Sequence, residues 1–280
     1  MQWEGREESE NVEDRRGIGG TGLAVGGGVG VVVVIVCLML GVDPRQFVGG
    51  GGGGGRPKGP PDPAEERLAH FTKVVMHDTE TIWDDLFRQH GKTYRKPTLV
   101  LFSGRVDSAC GSADSAVGPF YCPGDEKVYI DLSFYRDMEK KLDAPGEFAR
   151  AYVIAHEVGH HVQNLLGYNQ RAEEAKRRGE DANRTSVRIE LQADYFAGVW
   201  AHHAAERFPK YVETGDVESA IHAAHQIGDD WLQKQGQGRV VPEKFTHGTS
   251  AQRMKWFQEG YKSGDLDRAD RLFATPYSQL

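Results

Sequence analysis

Cysteine is scarce in this chain, which carries three cysteines among its 280 residues. So few cysteines exclude a small domain that depends on a dense disulfide framework. Cys37 falls within an apolar run, where a buried and unreactive thiol is expected. Cys110 and Cys122 lie twelve positions apart. They either form a disulfide bond in an oxidising compartment or stay as two free buried thiols, and the sequence leaves both alternatives open.

An excess of positive charge is also lacking. The chain has 34 Lys and Arg against 41 Asp and Glu, for a formal net charge of -7 at pH 7. Nucleic-acid binding requires a basic face or stripe, and we find no such stripe along the chain. We therefore expect no nucleic-acid partner, and the mild acidity mainly favours solubility.

Charge is absent altogether from residues 17–42. The stretch from Val29 to Val42 is strongly apolar, and the residues before it are rich in glycine. A helix that crosses a bilayer needs about 20 predominantly apolar residues, so residues 17–42 predict one transmembrane helix. Small residues four positions apart allow self-association through this span, and they are Gly22, Gly26 and Gly30.

Polar segments flank the predicted span. Residues 1–16 are charged and almost free of apolar side chains, which predicts a disordered tail. This acidic start also argues against a cleaved signal peptide, which begins with a basic region. Residues 43–63 are rich in glycine and proline, which predicts a linker. Arg15 and Arg16 beside the span favour a cytoplasmic N-terminus, so we expect the large domain on the extracytoplasmic side.

Residues 64–280 have the composition of a folded domain, and they are long enough to bury a sizeable core. Hydrophobic periodicity predicts helices over 63–87, 146–166, 183–208, 216–233 and 249–263. It predicts strands over Pro97–Phe102 and Lys127–Phe134. Pro63 is expected in the first turn of the first helix, where proline is tolerated. The predicted fold class is therefore α+β, mostly helical with a small β-sheet.

One of the predicted helices carries a metal-binding pattern, His156-Glu157-Val158-Gly159-His160. Positions four apart lie on the same face of a helix, so His156 and His160 can bind one zinc ion together. Glu157 points aside, where it can act as general base towards a zinc-activated water. The alternative is a helix that merely exposes these side chains on its polar face. His161 is rotated by about 100° from its neighbour, which favours a supporting or surface role.

A catalytic zinc site needs a third protein ligand, and the next predicted helix offers one. Glu190 and Asp194 lie four apart on one face of that helix. Glu190 can bind the metal while Asp194 accepts a hydrogen bond from the outer nitrogen of a ligand histidine. The alternative is a helix with two surface acids. Small residues nearby allow close approach to the first helix, and these are Ala193, Ala197 and Gly198.

Hydrolysis of an amide also needs a hydrogen-bond donor for the oxyanion that develops. His247, just before the last predicted helix, is the main candidate, and a structural role in that loop is the alternative. Tyr195 and Tyr129 are weaker candidates. The strand Lys127–Phe134 is expected to line the cleft and to pair with an extended substrate backbone.

Several segments of the chain carry a resemblance to a known family, and they read MQWEGREESENVEDRRG, SADSAVGPFYCPGDEKVYIDLSF, FARAYVIAHEVGHHVQNLLG, ELQADYFAGVWA and FTHGTSAQRMKWF. Together they are similar to the bacterial predicted neutral zinc metallopeptidase family, nearly from end to end. The resemblance implies a zincin fold with one Zn²⁺ per chain. It implies His156 and His160 as ligands and Glu157 as catalytic acid and base.

A broader resemblance supports the remaining assignments. The pair Glu190 and Asp194 looks like the ExxxD element of gluzincin peptidases. The spacing from His247 to Arg253 is similar to one in membrane-associated gluzincins, which implies a supporting role for Arg253 beside the site.

The combined expectation is a zinc metallopeptidase anchored by a single span in a bacterial inner membrane, cleaving a peptide or protein substrate. Two alternatives stay open. One is a zinc-binding interaction module that cleaves nothing, although the intact Glu157 argues against it. The other is a zinc hydrolase of a non-peptide amide, which would use the same metal chemistry.

Overall fold

The computed structural model describes residues 1–17, 62–208, 212–213, 215–237 and 239–280. Its strands, in chain order, are β1 (Val12–Asp14), β2 (Thr98–Phe102), β3 (Arg105–Ser108), β4 (Gly111–Asp114), β5 (Phe120–Cys122) and β6 (Lys127–Asp131). Its α-helices are α1 (Pro63–Gln89), α2 (Ser133–Lys140), α3 (Glu147–Leu166), α4 (Tyr168–Arg177), α5 (Ala182–Arg207), α6 (Asp216–Gln226), α7 (Asp229–Gln237), α8 (Ser250–Ser263) and α9 (Arg271–Ala274). Helices dominate, which confirms the predicted α+β, mostly helical fold class.

The predicted helices are all found, with one interruption. α1 begins at Pro63 as expected, and the Asp62 carboxylate caps it by accepting the backbone N–H of Ala64 at 3.0 Å. The helix predicted over 216–233 is instead two helices, α6 and α7. They are separated at Gly228, where a Cβ atom would lie 2.3 Å from the backbone nitrogen of Ser250. The start of α8 therefore packs directly on the break between them.

The main sheet has four strands in the order β1-β2-β6-β5. β1, β2 and β6 run parallel, and β5 is antiparallel to β6. The strand predicted over Lys127–Phe134 ends early, at Asp131, whose carboxylate accepts the backbone N–H of Ser133 at 2.8 Å as α2 begins. Since Lys127, Val128 and Tyr129 are paired with β2 on one edge and with β5 on the other, the predicted pairing of a substrate with this part of the strand is wrong.

The N-terminal segment is folded onto the rest of the chain, so the predicted disordered tail over residues 1–16 is wrong. β1 extends the sheet, and the 6% exposed Trp3 packs edge-on against an aromatic ring of α1. Arg6 donates to Asp78 at 2.6 Å, and Ser9 donates to Glu80 at 2.6 Å. Both acids lie on α1 and are almost fully buried. The polar segment is ordered because it supplies donors that these buried carboxylates require.

The predicted transmembrane helix over 17–42 lies, apart from Gly17, outside the described residues, as do Cys37, the small-residue pattern and nearly all of the predicted linker. Across the described ranges, no helix combines the length and the apolar character needed to cross a membrane. Residues 1–17 also pack on the domain that follows residue 62. These findings contradict the predicted single-pass localisation with its extracytoplasmic domain.

Helix α5 lies between α3 and α8, and glycines set both spacings. At Gly159 of α3, a Cβ atom would lie 2.9 Å from the backbone oxygen of Ala193 in α5. On the other side, a Cβ atom at Gly198 of α5 would lie 2.1 Å from the backbone oxygen of Phe257 in α8. Gly198 thus faces α8. The sequence analysis had expected it to face α3, the helix of the metal-binding pattern, and that prediction is wrong. The close approach at Gly159 brings the functional faces of α3 and α5 together.

Candidate metal centre

Three predicted ligands converge from α3 and α5. The Nε2 atom of His156 lies 3.3 Å from one carboxylate oxygen of Glu190, and the Nε2 atom of His160 lies 3.6 Å from the other. A tetrahedral zinc ion with bonds of about 2.0 Å holds its ligand atoms about 3.3 Å apart. Two imidazole nitrogens and a carboxylate are also the ligand types that zinc favours in hydrolases. This donor set therefore fits a zinc ion.

The outer nitrogens of both histidines are held by acceptors. The Nδ1 atom of His156 donates to Asp194 at 2.9 Å, and that of His160 donates to Gln163 at 2.8 Å. A proton held at Nδ1 leaves the lone pair on Nε2, where a metal would bind. Gln163 was not predicted from the sequence. Its position three residues after His160 on the same helix was the available signal.

Asp194 is the centre of a buried network. Arg253 donates to both of its carboxylate oxygens, at 2.8 and 2.9 Å, and the Tyr152 hydroxyl donates at 2.6 Å. Burial would raise the pKa of Asp194, but the charges of Arg253 and His156 hold that pKa below its ordinary value. A buried carboxylate is tolerated here because every strong acceptor position is satisfied. Tyr152 was missed, although it lies four residues before His156 on one helix face.

Glu157 lies beside these ligands with 8% of its surface exposed. Burial, with the nearby negative charge of Glu190, raises the pKa of Glu157 to about 7, against the opposing charge of His156. The backbone of Tyr121, in β5, acts against this rise and favours the charged carboxylate. A carboxylate with a pKa near neutrality is suited to accept and return a proton.

His247 is fixed by a buried acid that the sequence did not reveal. Asp229 accepts the backbone N–H of His247 at 2.7 Å and lies 3.2 Å from its Nδ1 atom. The same carboxylate accepts the backbone N–H groups of Thr246 and Gly248, at 2.7 and 3.1 Å. Burial alone would lower the pKa of His247, but the charges of Glu190 and Asp229 raise it. Asp229 is 18 residues earlier in the chain, so no local spacing pointed to it.

The comparison with protein families agrees with this geometry. A family model described as "Putative neutral zinc metallopeptidase" matches residues 1–272. The chain belongs to this family. It is 49% identical over 278 residues to the uncharacterized protein YpfJ of Escherichia coli (strain K12), across 95% of this chain and 96% of that protein. The sequence-based resemblance to the neutral zinc metallopeptidases is thereby confirmed.

More distant relatives cover less of the chain. The uncharacterized protein Rv2575 of Mycobacterium tuberculosis is 42% identical over 209 residues, which is 71% of this chain and 68% of that protein. The uncharacterized protein Mb2605 of Mycobacterium bovis matches over the same length with the same identity. No solved structure matches the chain.

The two weaker candidates for oxyanion donor, Tyr195 and Tyr129, form hydrogen bonds away from the three ligands. The Tyr195 hydroxyl lies 2.8 Å from that of Ser263 and donates to the backbone oxygen of Asp265 at 2.6 Å. The Tyr129 hydroxyl donates to Asp125 at 2.7 Å, and this side chain is almost fully buried. Neither hydroxyl contacts the three ligands, so the structure does not support them as oxyanion donors.

His161 supports the strand beside the site. It is fully buried, accepts a hydrogen bond from the Tyr121 hydroxyl at 3.0 Å and donates to the backbone oxygen of Arg95 at 2.5 Å. Burial lowers its pKa to about 4, so it is neutral at neutral pH. Next to Tyr121, Cys122 forms a disulfide bond with Cys110. This bond ties the end of β5 to the turn between β3 and β4.

Proposed function

We propose that this chain is a zinc-dependent peptidase in which His156, His160 and Glu190 hold one zinc ion. The observation that carries the proposal is the convergence of these three donors from two helices, at 3.3 and 3.6 Å. Structural zinc sites have four protein ligands, whereas catalytic sites have three and leave one position for water or substrate. Among the described residues, the cluster of possible ligands formed by α3 and α5 contains three side chains: His156, His160 and Glu190.

Glu157 acts as the general base and then as the general acid. When bound, zinc supplies Lewis acidity that polarises a substrate carbonyl and lowers the pKa of water. Glu157 takes the proton of the attacking water and passes it to the leaving amine. Its own pKa of about 7 allows both transfers near neutral pH, and such catalysis contributes about 10²–10⁴-fold to the rate.

His247 stabilises the oxyanion that forms on the substrate carbonyl. Asp229 occupies the Nδ1 side of the ring and fixes the loop through three backbone N–H groups. The charges of Glu190 and Asp229 raise the pKa of His247 and so favour the protonated ring, which carries a second proton on Nε2 and can donate it in a hydrogen bond. A donor held in advance stabilises developing charge without reorganisation during the reaction. Arg253 acts from behind, because it holds the Asp194 carboxylate that orients His156.

The substrate is an extended peptide that adds to the β5 edge of the sheet. β5 is a terminal strand in the described sheet, and the backbone of its Tyr121 influences the pKa of Glu157, so this strand lies beside the site. Strand addition would align a peptide backbone beside the catalytic residues. Methylating single backbone nitrogens of a cleaved peptide should raise KM at alternate positions. If methylation changes KM at no position of the peptide, the peptide does not pair along β5.

The experiment that tests the whole proposal compares the full chain with Glu157→Gln. Glu157 is not a ligand, so both proteins should bind the same amount of zinc per chain, measured by inductively coupled plasma mass spectrometry, and only the parent should cleave casein. Equal zinc in both without cleavage in either, across a broad peptide library, would favour the interaction module. Cleavage of small amides but not of peptides would favour the non-peptide hydrolase. If the well-folded parent protein binds no zinc, the proposal is wrong.

A further inference from the structure

A second group of metal-ligand side chains lies at the C-terminal end of α5. The Nε2 atom of His202 is 3.4 Å from one carboxylate oxygen of Glu206, and the Nδ1 atom of His203 is 3.5 Å from the other. Ligand atoms of all three residues lie within 4.8 Å of one another. These separations are close to the roughly 3.3 Å expected between ligands of a tetrahedral zinc ion.

The other nitrogen of each histidine is already engaged. The Nδ1 atom of His202 donates to the backbone oxygen of Tyr261 at 2.7 Å. The Nε2 atom of His203 donates to the backbone oxygen of Gly264 at 2.8 Å. Both acceptors lie at the C-terminal end of α8. Each ring therefore has its proton fixed on the side away from Glu206, with a lone pair facing the carboxylate, as in metal-binding histidines.

The backbone around His202 is shaped to receive its ring. Gly264 ends α8 in a left-handed conformation, with φ of 59°, and a Cβ atom there would lie 2.3 Å from the His202 ring. A side chain at this position would displace the imidazole. The orientation of His202 is thus set by the fold and does not depend on the ion pair with Glu206.

We propose that His202, His203 and Glu206 bind a second zinc ion that clamps the end of α5 to the end of α8. Two imidazoles and a carboxylate suit zinc and similar transition metals, and they do not suit magnesium or calcium. The two histidine side chains are each 27% exposed and that of Glu206 is 65% exposed, so an ion can enter from solution and exchange.

This second site is separate from the first. His202 follows Glu190 by twelve residues on the same helix, which corresponds to about 18 Å along the axis. Metal ions that act together on one substrate lie roughly 3.5–4 Å apart. The second ion therefore has a stabilising role and does not take part in the reaction at Glu157.

Conservative variants can separate metal binding from packing. His202→Asn keeps a donor where Nδ1 contacts Tyr261, and His203→Gln keeps one where Nε2 contacts Gly264. His156→Asn and His160→Asn remove the first site in the same way. His222→Gln is the matched control, because His222 donates from Nε2 to the backbone oxygen of Asp143 and belongs to neither cluster.

The readout is zinc bound per chain after equilibrium dialysis against zinc chloride. The His156→Asn/His160→Asn protein, which lacks the first site, should bind one equivalent of zinc. Adding His202→Asn/His203→Gln to it should abolish this binding. Adding the control His222→Gln instead should leave one equivalent bound. If the first-site variant does not fold, the parent and the His202→Asn/His203→Gln protein are compared, with two equivalents expected to fall to one. Zinc should also raise the Tm of the first-site variant, and Glu206→Gln should abolish this rise.

The opposite result is equally clear. If the parent binds one equivalent at saturating zinc, and His202→Asn/His203→Gln leaves that number unchanged, the cluster consists of ion pairs only and the inference is wrong. Peptidase activity is not used in this test, so its outcome does not depend on the proposed function.

Discussion

Asp194 does more for the metal centre than its single predicted hydrogen bond suggested. It orients His156 and also neutralises the buried guanidinium of Arg253. Asp194→Asn should weaken zinc binding by about 10–100-fold. It should also lower the free energy of unfolding by roughly 3–5 kcal/mol, because it leaves a buried charge unpaired.

Zinc titration and urea unfolding of the same preparation measure both effects of Asp194→Asn. Asp137→Asn serves as the control, since Asp137 in α2 forms an exposed pair with Lys141, just after that helix, and exposed pairs contribute little. A variant with parental zinc affinity would show that Asp194 does not orient the ligand.

His161 should make the protein sensitive to acid. Burial holds its pKa at about 4, below the roughly 6.5 expected when the chain is unfolded. The unfolded state therefore binds the proton first as pH falls. The contribution of His161 to stability is intact above pH 6.5 and should fall by roughly 2 kcal/mol by pH 5.

Urea unfolding at pH 7 and pH 5, with a chelator present, measures the effect of His161. His161→Gln retains a donor for the backbone oxygen of Arg95 but has no proton to gain. Between pH 7 and pH 5, the free energy of unfolding of His161→Gln should fall by roughly 2 kcal/mol less than that of the parent. Identical slopes for the two proteins would exclude His161 as the cause.

At the residue scale, spacing along one helix was the reliable guide. His156 and His160 share one face of α3, as helix geometry predicted, and Glu190 of α5 lies 3.3 and 3.6 Å from them. Asp229 could not be predicted, because it reaches His247 across a loop and carries no periodic signal. Glu190 and Asp194 also reach α3 from another element, but their spacing of four residues on one helix face gave a signal that Asp229 lacks.

At the scale of elements, the spacing between α3 and α5 depends on Gly159. Alanine there would place a Cβ atom 2.9 Å from the backbone oxygen of Ala193. Gly159→Ala should therefore cost roughly 1–3 kcal/mol through overpacking, although alanine is the better helix former. Zinc affinity should fall as well, since the ligand-bearing faces are pushed apart.

The sign of the change in the free energy of unfolding shows whether overpacking or helix propensity dominates at Gly159→Ala: overpacking lowers it, and the better helix propensity of alanine raises it. Gly236 lies in α7, is exposed, and has helical neighbours. Gly236→Ala should raise the free energy of unfolding by up to about 1 kcal/mol. Thermal unfolding and zinc titration of both variants test this contrast, and stabilisation by Gly159→Ala would show that the two helices have room to spare.

Long periodic helices were predicted well, and short or non-local elements were not. The break at Gly228 was missed because the apolar pattern continues through it, while the reason for the break is contact with Ser250 in another helix. β1 was missed because its three residues, one valine and two acids, are too few to carry a strand signature of their own. They form a strand because β2 offers an unpaired edge.

At the scale of the whole molecule, the N-terminal segment is part of the folded unit. A fragment of residues 62–280 should be less stable than the full chain by several kcal/mol, since buried Asp78 and Glu80 lose the donors Arg6 and Ser9. Urea unfolding measures the loss, and a synthetic peptide of residues 1–17 should restore stability in trans. Glu7→Gln in the full chain is a neutral control, because Glu7 is largely exposed. Equal stability of fragment and full chain would contradict the packing of this segment.

The pairing of Val12 with Leu99 has a consequence for how the protein is made. On the ribosome, residues 1–17 leave the exit tunnel before their partners in α1 and β2. They must therefore stay unpaired until those partners have been synthesised. Closing so long a loop is entropically tolerable, because each doubling of loop length costs only about 0.6 kcal/mol. Until that closure, β2 exposes the edge that β1 covers in the folded chain.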